Sequence, residues 1–433
     1  MTKTSGYKIP IDYYVLMFIC GLFAIFAFAT ATPMDVMRGF WVINTSRSVL
    51  VSDYIAMAGL SATLINAAVS CLLFVFLLIY TNTQPNGKII ATLFLTLGFS
   101  MFGKNLLNTL PLCVGVWCYA KVQKARFGGY LVHAMCVATI SPIVSEIAFS
   151  GGKTSVGRLS AAYAAGIFIG FIFPVVVESV KRMHNGYCLY NSGIAGGFIA
   201  TFAVGLMRSM GVEVIPENYW DTSHTVQLAV GAFSFSFAAI VFGLFVAGPK
   251  RAISTFVKIL SERDRDNNDY LLYYGGTCYI NIGVMCIIAT TTMLLLDIPI
   301  NGPVLGGIIT IAGFSVAGKH VRNTIPVLVG SILATNLNTI ELATAPNALS
   351  ILFSTGLAPI ACKFGWIWGI IAGFLHVSVA IGIGALNGGL NLYNNGFAGG
   401  FVAITLVPLI LFFNRLISKK SDSEVNYGRR KGD

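Results

Sequence analysis

The sequence predicts an all-α polytopic membrane protein made of two halves of inverted topology, and three observations carry that expectation. The first is composition. Of 433 residues, 56% are apolar and 10% charged, with a mean hydropathy of +0.77, whereas soluble domains carry about a quarter charged residues. The second is a duplicated phrase. Residues 188–201 read CLYNSGIAGGFIAT and residues 391–404 read NLYNNGFAGGFVAI, a period far beyond the ~20–50 residues of solenoid repeats. The repeated unit is therefore half the chain, an arrangement typical of transporters. The third is charge placement. If every apolar segment crosses and the N-terminus is cytoplasmic, 22 of the 28 Lys and Arg fall on the cytoplasmic side, as the positive-inside rule requires.

In chain order, Lys3 and Lys8 precede an apolar run over 12–31, long enough at ~1.5 Å per residue to cross a ~30 Å core. It exceeds the ~7–15 residue apolar core of a signal peptide. Residues 32–53, with Arg38, Trp41 and Arg47, are mixed and suit the membrane surface. The long repeat starts at Asp53, matched by Asp269, and pairs Gly59 with Gly275, Asn66 with Asn281 and Cys71 with Cys286. It continues as GFSMFGKNLLNTLPLCVG (98–115) against GFSVAGKHVRNTIPVLVG (313–330), then Ser141-Pro142-Ile143 against Ala358-Pro359-Ile360.

Apolar runs give about fourteen segments: 12–31, 54–80, 88–103, 106–120, 129–149, 160–180, 187–208, 226–248, 271–296, 301–317, 323–340, 343–362, 365–386 and 391–414. Short members rich in Gly and Pro suit re-entrant or broken helices. The units are then 1–225, 226–414 and a basic cytoplasmic tail over 415–433. Asp53 falls outside and Asp269 inside, so the repeat is inverted.

Such a repeat sets equivalent residues around a pseudo-two-fold axis, with a solute site near the midplane. The paired candidates are Lys104, Asn108 and Thr109 with Lys319, Asn323 and Thr324; Tyr190 and Asn191 with Tyr393 and Asn394; and Asn66 with Asn281. Two readings stay open for each. The lysines either meet an anion inside the membrane or snorkel to its surface. Asn108 and Asn323 either meet solute or cap helices. The Tyr-Asn-x-Gly phrases either border a cavity or form a small-residue packing seam. Glu146 is a proton- or ion-coupling candidate or a helix cap, and its counterpart is Lys363. His133 and His376 titrate in a useful range or simply pack.

The doubled Leu-Tyr-Asn-x-Gly and Gly-Lys-x-x-x-Asn-Thr-x-Pro phrases make nearly the whole chain resemble a family of bacterial integral membrane proteins catalogued only as a domain of unknown function. A more distant resemblance is to urea transporters, whose inverted halves carry Gly-[Phe/Tyr]-Asn-Gly-x-Leu-x-Gly; Ser192 and Asn395 intervene here before the glycine. That resemblance implies a passive pore for a small polar solute.

No Walker motif, His-Glu-x-x-His or paired intramembrane aspartates occur, and enzyme chemistry, cofactors and metals are not expected. The nine cysteines lie singly in apolar stretches, as small hydrophobes do. No basic run interleaves with aromatics for nucleic acid. The expectation is a transporter of a small polar or anionic solute in a bacterial cytoplasmic membrane, both termini cytoplasmic. A homo-oligomer is compatible with it. The alternatives are a urea-transporter-like channel and a membrane scaffold or enzyme.

Overall fold

The computed structural model describes residues 9–50, 52–152, 154–214, 219–263, 269–337 and 344–429. Lys3, Lys8, Lys153 and Arg265, which enter the charge count, lie outside them, as do Arg430 and Lys431 of the basic tail. The described residues are helical, without a strand. In the first half the helices are α1 (Ile11–Thr30), α2 (Pro33–Thr45), α3 (Tyr54–Ala58), α4 (Leu60–Tyr80), α5 (Gly87–Phe99), α6 (Leu106–Val122), α7 (Leu131–Val137), α8 (Pro142–Phe149), α9 (Val156–Met183) and α10 (Asn191–Ser209). The second half runs α11 (Thr225–Ala247), α12 (Pro249–Ser261), α13 (Tyr270–Tyr274), α14 (Cys278–Leu295), α15 (Gly302–Phe314), α16 (Val321–Leu337), α17 (Ala345–Ser354), α18 (Ala358–Phe364), α19 (Trp366–Ile383) and α20 (Asn394–Arg429). Each helix of the first half has a counterpart ten places on, short helices included.

Eight helical stretches are long and apolar enough to cross a membrane, and the bent pair Phe127–Ile140 and Pro142–Phe149 would make a ninth. The chain has the character of a multi-pass membrane protein. Gly87–Phe99, Leu106–Val122 and Gly302–Ala317 are apolar but shorter; α5, with 13 residues, spans only ~20 Å. The run expected over 54–80 is two helices, because Gly59 turns the chain with φ 85°. The 32–53 stretch forms the amphipathic α2, and α12 matches it in the second half.

Packing pairs are repeated as well as helices. On α1, Tyr13, Leu16, Cys20 and Ala27 are buried at the 3–4 residue spacing of one helical face, and that face lies on α4; α11 lies on α14 in the same way. Phe18, Ile25 and Phe245 point outward and are exposed, as lipid-facing side chains are. The α6–α9 and α16–α19 contacts are close because they are built on glycine: a side chain at Gly115 or Gly170 would strike the Ile167 or Leu112 carbonyl, and one at Gly330 or Gly373 would strike the Ile370 or Val327 carbonyl.

The halves meet along two seams. In the first, α5 packs on its counterpart α15, with Gly98 facing Gly306, Phe94 facing Gly313 and Met101 near Gly302. Residue numbers rise on one helix as they fall on the other, so the two equivalent helices are antiparallel. In the second seam α10 meets α20, with Gly193 against Gly396 and Phe198 against Phe397.

Backbone groups are exchanged across these seams. The Gly87 amide at the start of α5 donates to Asp269 (2.8 Å), while the Gly302 amide at the start of α15 donates to Asp53. The Leu189 amide donates to the Gly356 carbonyl (3.0 Å) and the Leu392 amide to the Thr139 carbonyl (2.8 Å). Helix N-termini leave amides without intrahelical partners, and each half satisfies some of the other's.

Candidate functional site

The centre of the molecule is organised by two interruptions in the helices. After α5 the chain leaves the helix over 100–104 and resumes at α6; after α15 it does the same before α16. Gly103 (φ 71°) and Gly318 (φ 107°) take the left-handed turn that other residues adopt only at a cost. The carbonyls released at such a break need donors. Asn66 supplies them in the first half, its Nδ2 donating to Ser100 (2.8 Å) and Lys104 (2.9 Å) carbonyls. Asn281 does so in the second, to Ser315 (2.9 Å) and Lys319 (2.7 Å).

Asn108 and Asn323 fasten the restart of the helix. The Asn108 Oδ1 accepts the Asn105 amide (2.9 Å) and its Nδ2 donates to the Gly103 carbonyl (3.0 Å). Asn323 accepts the His320 amide (3.0 Å) and donates to Gly318 (2.9 Å). The Thr109 and Thr324 hydroxyls turn to Asn108 and Asn323 at 3.5 and 3.2 Å. Of the two readings open for Asn108 and Asn323, helix capping is the role their hydrogen bonds describe, and the Asn66 and Asn281 amides are likewise engaged with backbone.

The lysines between these clamps are different. They do not snorkel: Lys104 is 1% exposed and Lys319 0%. Neither is paired with a carboxylate among the described residues. Lys319 Nζ donates to the Tyr190 hydroxyl and to Thr355 Oγ1 (2.8 Å), and lies 4.6 Å from the Tyr190 ring centre and 5.4 Å from that of Phe314. Lys104 Nζ donates to Thr96 Oγ1 (3.2 Å) and lies 5.2 Å from the Phe74 ring centre. Aromatic faces attract cations, but the formal charges are left uncompensated.

Tyr190 and Tyr393 meet at the α10–α20 seam, ring centres 4.6 Å apart. Phe314 stands edge-on to Tyr190 at 5.0 Å, its counterpart Phe99 edge-on to Tyr393 at 5.2 Å, and Phe353 touches both tyrosines. The Tyr393 hydroxyl is buried and faces the Tyr190 hydroxyl. Glycine in the Tyr-Asn-x-Gly phrase has a direct reason: Gly193 and Gly396 bring the two backbones into contact.

The two asparagines of that phrase do not share surroundings. Asn394 Oδ1 accepts from Asn387 (2.8 Å). The Asn191 side chain turns to His184, and the residue lines a cavity of about 170 Å3 with Lys88, Lys181, His133, Cys136 and Phe314. Phe314, whose ring centre lies 5.4 Å from Lys319 Nζ, is therefore shared between this cavity and the buried lysine. Glu146, 1% exposed, is held by Arg47 in an ion pair. His376 is buried beside Asn395 (Nε2 to Oδ1, 3.3 Å).

Sequence reasoning missed Thr355, Thr96 and the Phe99–Phe314–Phe353 enclosure. Thr355 belongs to a single turn between α17 and α18, and its counterpart Ala138 removes the pairing that revealed the other candidates.

The sequence matches, over residues 32–209 and 248–412, the family described as a protein of unknown function, DUF1576. The chain belongs to that family. The DUF1576 match takes in both halves, both lysines and the tyrosine pair, and leaves out all of α1 and α11. No curated protein and no solved structure matches the chain.

Proposed function

We propose that this DUF1576 protein is a secondary transporter for a small anionic solute, bound at the Tyr190–Tyr393 seam by Lys319, and reached by a second route past Lys104. The observation that carries the reading is the pair of fully buried lysines at equivalent helix breaks, without carboxylate partners among the described residues. A buried cation is costly unless paired, and ionisable groups inside a bilayer usually belong to a solute or ion pathway. An oxyanion would accept from Lys319 Nζ and from the neighbouring hydroxyls of Tyr190 and Tyr393.

In this reading about fourteen segments are transmembrane or re-entrant, α5 and α15 being among the short ones, and the halves are inverted repeats in a bacterial cytoplasmic membrane with both termini inside. Antiparallel packing of the equivalent α5 and α15 supports inversion, since a two-fold axis relating antiparallel crossing helices lies in the membrane plane. The cavity beside Asn191 then opens toward the cytoplasm through Lys88 and Lys181. Alternating access follows from such a repeat when one half rocks against the other.

The test is uptake into proteoliposomes of a panel of labelled mono- and dicarboxylates, inorganic phosphate and sulfate, with urea as the neutral control. Saturable uptake of an anion that Lys319→Gln abolishes is the expected result. Uptake of urea alone, unchanged in that variant, would replace the reading by a passive neutral-solute pore.

A further inference from the structure

At the end of the molecule that carries α12 lies a cavity of about 270 Å3, separate from the lysine–tyrosine seam. Its wall includes Arg263 after α12, His320 and Arg322 at the start of α16, Asn323, Lys363 at the end of α18, and Trp366. Arg263, Arg322 and Lys363 are exposed, and none is paired with a carboxylate among the described residues. His320 is 1% exposed, and its ring faces the backbone carbonyl and carboxylate of Glu262. The neighbouring acid, Glu262, is already engaged: its carboxylate accepts the Arg263 amide (2.9 Å) and the Tyr274 hydroxyl (2.8 Å). Three cations, Arg263, Arg322 and Lys363, thus share the wall with one carboxylate, Glu262, and the balance is positive among the described residues.

The first half shows what fills the equivalent place. Taking the offset of Asp53 to Asp269, Arg263 corresponds to Arg47; taking that of Pro142 to Pro359, Lys363 corresponds to Glu146; His320 corresponds to Asn105. In the first half Arg47 holds the buried Glu146 carboxylate. In the second half a lysine stands where the first half has the acid, and Arg263, which lines the same cavity as Lys363, has no carboxylate partner among the described residues.

We propose that the second-half cavity binds a phosphate-type oxyanion, which occupies the position that the Glu146 carboxylate takes in the first half. Arginine and lysine present several donors to such a group, and the imidazole contributes one more. The oxyanion is either free in solution or the headgroup of an anionic lipid. The exposed Lys250, Arg251 and Lys258 of α12 and the rim residue Trp366 fit a headgroup level. The site stands independently of transport at Lys319.

The experiment is thermal unfolding of the full-length protein in nanodiscs. In one arm the lipid is phosphatidylcholine and inorganic phosphate is titrated; in the other, phosphatidylglycerol replaces a third of the lipid. Phosphate at about ten times its half-saturating concentration raises the melting temperature by about 1–2 °C. If the natural occupant is a headgroup, the anionic nanodisc gives the rise by itself and suppresses the phosphate response.

The deciding variant is Lys363→Glu, which restores the first half's acid. It melts at or above the wild-type temperature without added anion, and its half-saturating phosphate concentration rises at least about tenfold. Both this variant and its reference carry Lys319→Met, so that phosphate held at the lysine–tyrosine seam does not enter the comparison. Equal responses of Lys363→Glu and wild type overturn the proposal, as does a wild type indifferent to both phosphate and phosphatidylglycerol, the behaviour of a cavity already filled by an acid of the chain itself.

Discussion

Replacing Lys319 by methionine exchanges a buried ammonium for an apolar group of similar length, and the surroundings of the lysine set the size of the effect. The ammonium makes two hydrogen bonds, to Tyr190 and Thr355, worth about 1.5–3 kcal/mol each when one partner is charged. The Tyr190 ring 4.6 Å away adds about 2 kcal/mol in a desolvated setting. Against these stands a desolvation cost of several kcal/mol for an ion taken out of water. The terms nearly cancel. After the substitution, the Tyr190 and Thr355 hydroxyls, 3.5 Å apart, have each other as partners. The expected change in unfolding free energy is within about 2 kcal/mol of zero, far from the ~3–5 kcal/mol lost when one member of a buried ion pair is removed. Solute affinity behaves otherwise, falling about 10- to 100-fold with the loss of one charged donor. The assay pairs denaturant unfolding with equilibrium solute binding, and Lys319→Arg serves as the charge-retaining control. A loss of about 4 kcal/mol or more with unchanged binding would refute the reasoning and make the lysine a structural group.

The asparagine clamps yield the opposite pattern. Leucine at Asn281 leaves the Ser315 and Lys319 carbonyls without their donor, at about 1–3 kcal/mol each, so Asn281→Leu and Asn66→Leu should both lower stability by about 2–5 kcal/mol in denaturant titrations; a change under about 0.5 kcal/mol would contradict the clamp. The Asp53 carboxyl, between α2 and α3, is pushed up to about 6 by burial, opposed by hydrogen bonds from the Asp221 and Ile55 amides. Its folded value thus exceeds the unfolded value of about 4, so its contribution is full below about pH 4 and disappears as pH rises through about 6, up to about 2–3 kcal/mol in all. Asp53→Asn loses one acceptor and melts lower throughout, but with a flatter profile between pH 4 and 7; parallel profiles would assign that slope to other groups.

Much of this fold was legible because the chain states it twice. Asp53 with Asp269, Gly103 with Gly318 and Tyr190 with Tyr393 stand at matched positions in sequence and do matched work in space. What the sequence left ambiguous was the direction of each polar group. A paired asparagine in an apolar helix reads equally as a solute contact or a backbone donor, and only the broken carbonyls beside Asn66 and Asn281 identify the bonds they make. For the lysines, Gly-Lys between apolar runs reads equally as a surface loop or an intramembrane site, and only the burial of Lys104 and Lys319 excludes the surface. Positions where the halves diverge were hidden for the converse reason. Thr355 has alanine opposite, and Glu146 has Lys363, so pair-seeking passed over the threonine and did not connect Glu146 with Arg47.

The exchanged backbone bonds constrain how the molecule is made. When the ribosome has released the first ten helices, the Gly87 amide awaits an aspartate encoded 182 residues later, and the Leu189 amide awaits a carbonyl 167 positions on (356 − 189). The nascent first half is thus inserted with unfilled donors in its interior, and its consolidation waits for the second half to arrive. Severing the polypeptide between α10 and α11 keeps every exchanged bond available, so two separately synthesised fragments should find each other, whereas either alone would be a substrate for membrane quality control. A single ancestral half could have met the same demand by pairing with an oppositely oriented copy of itself.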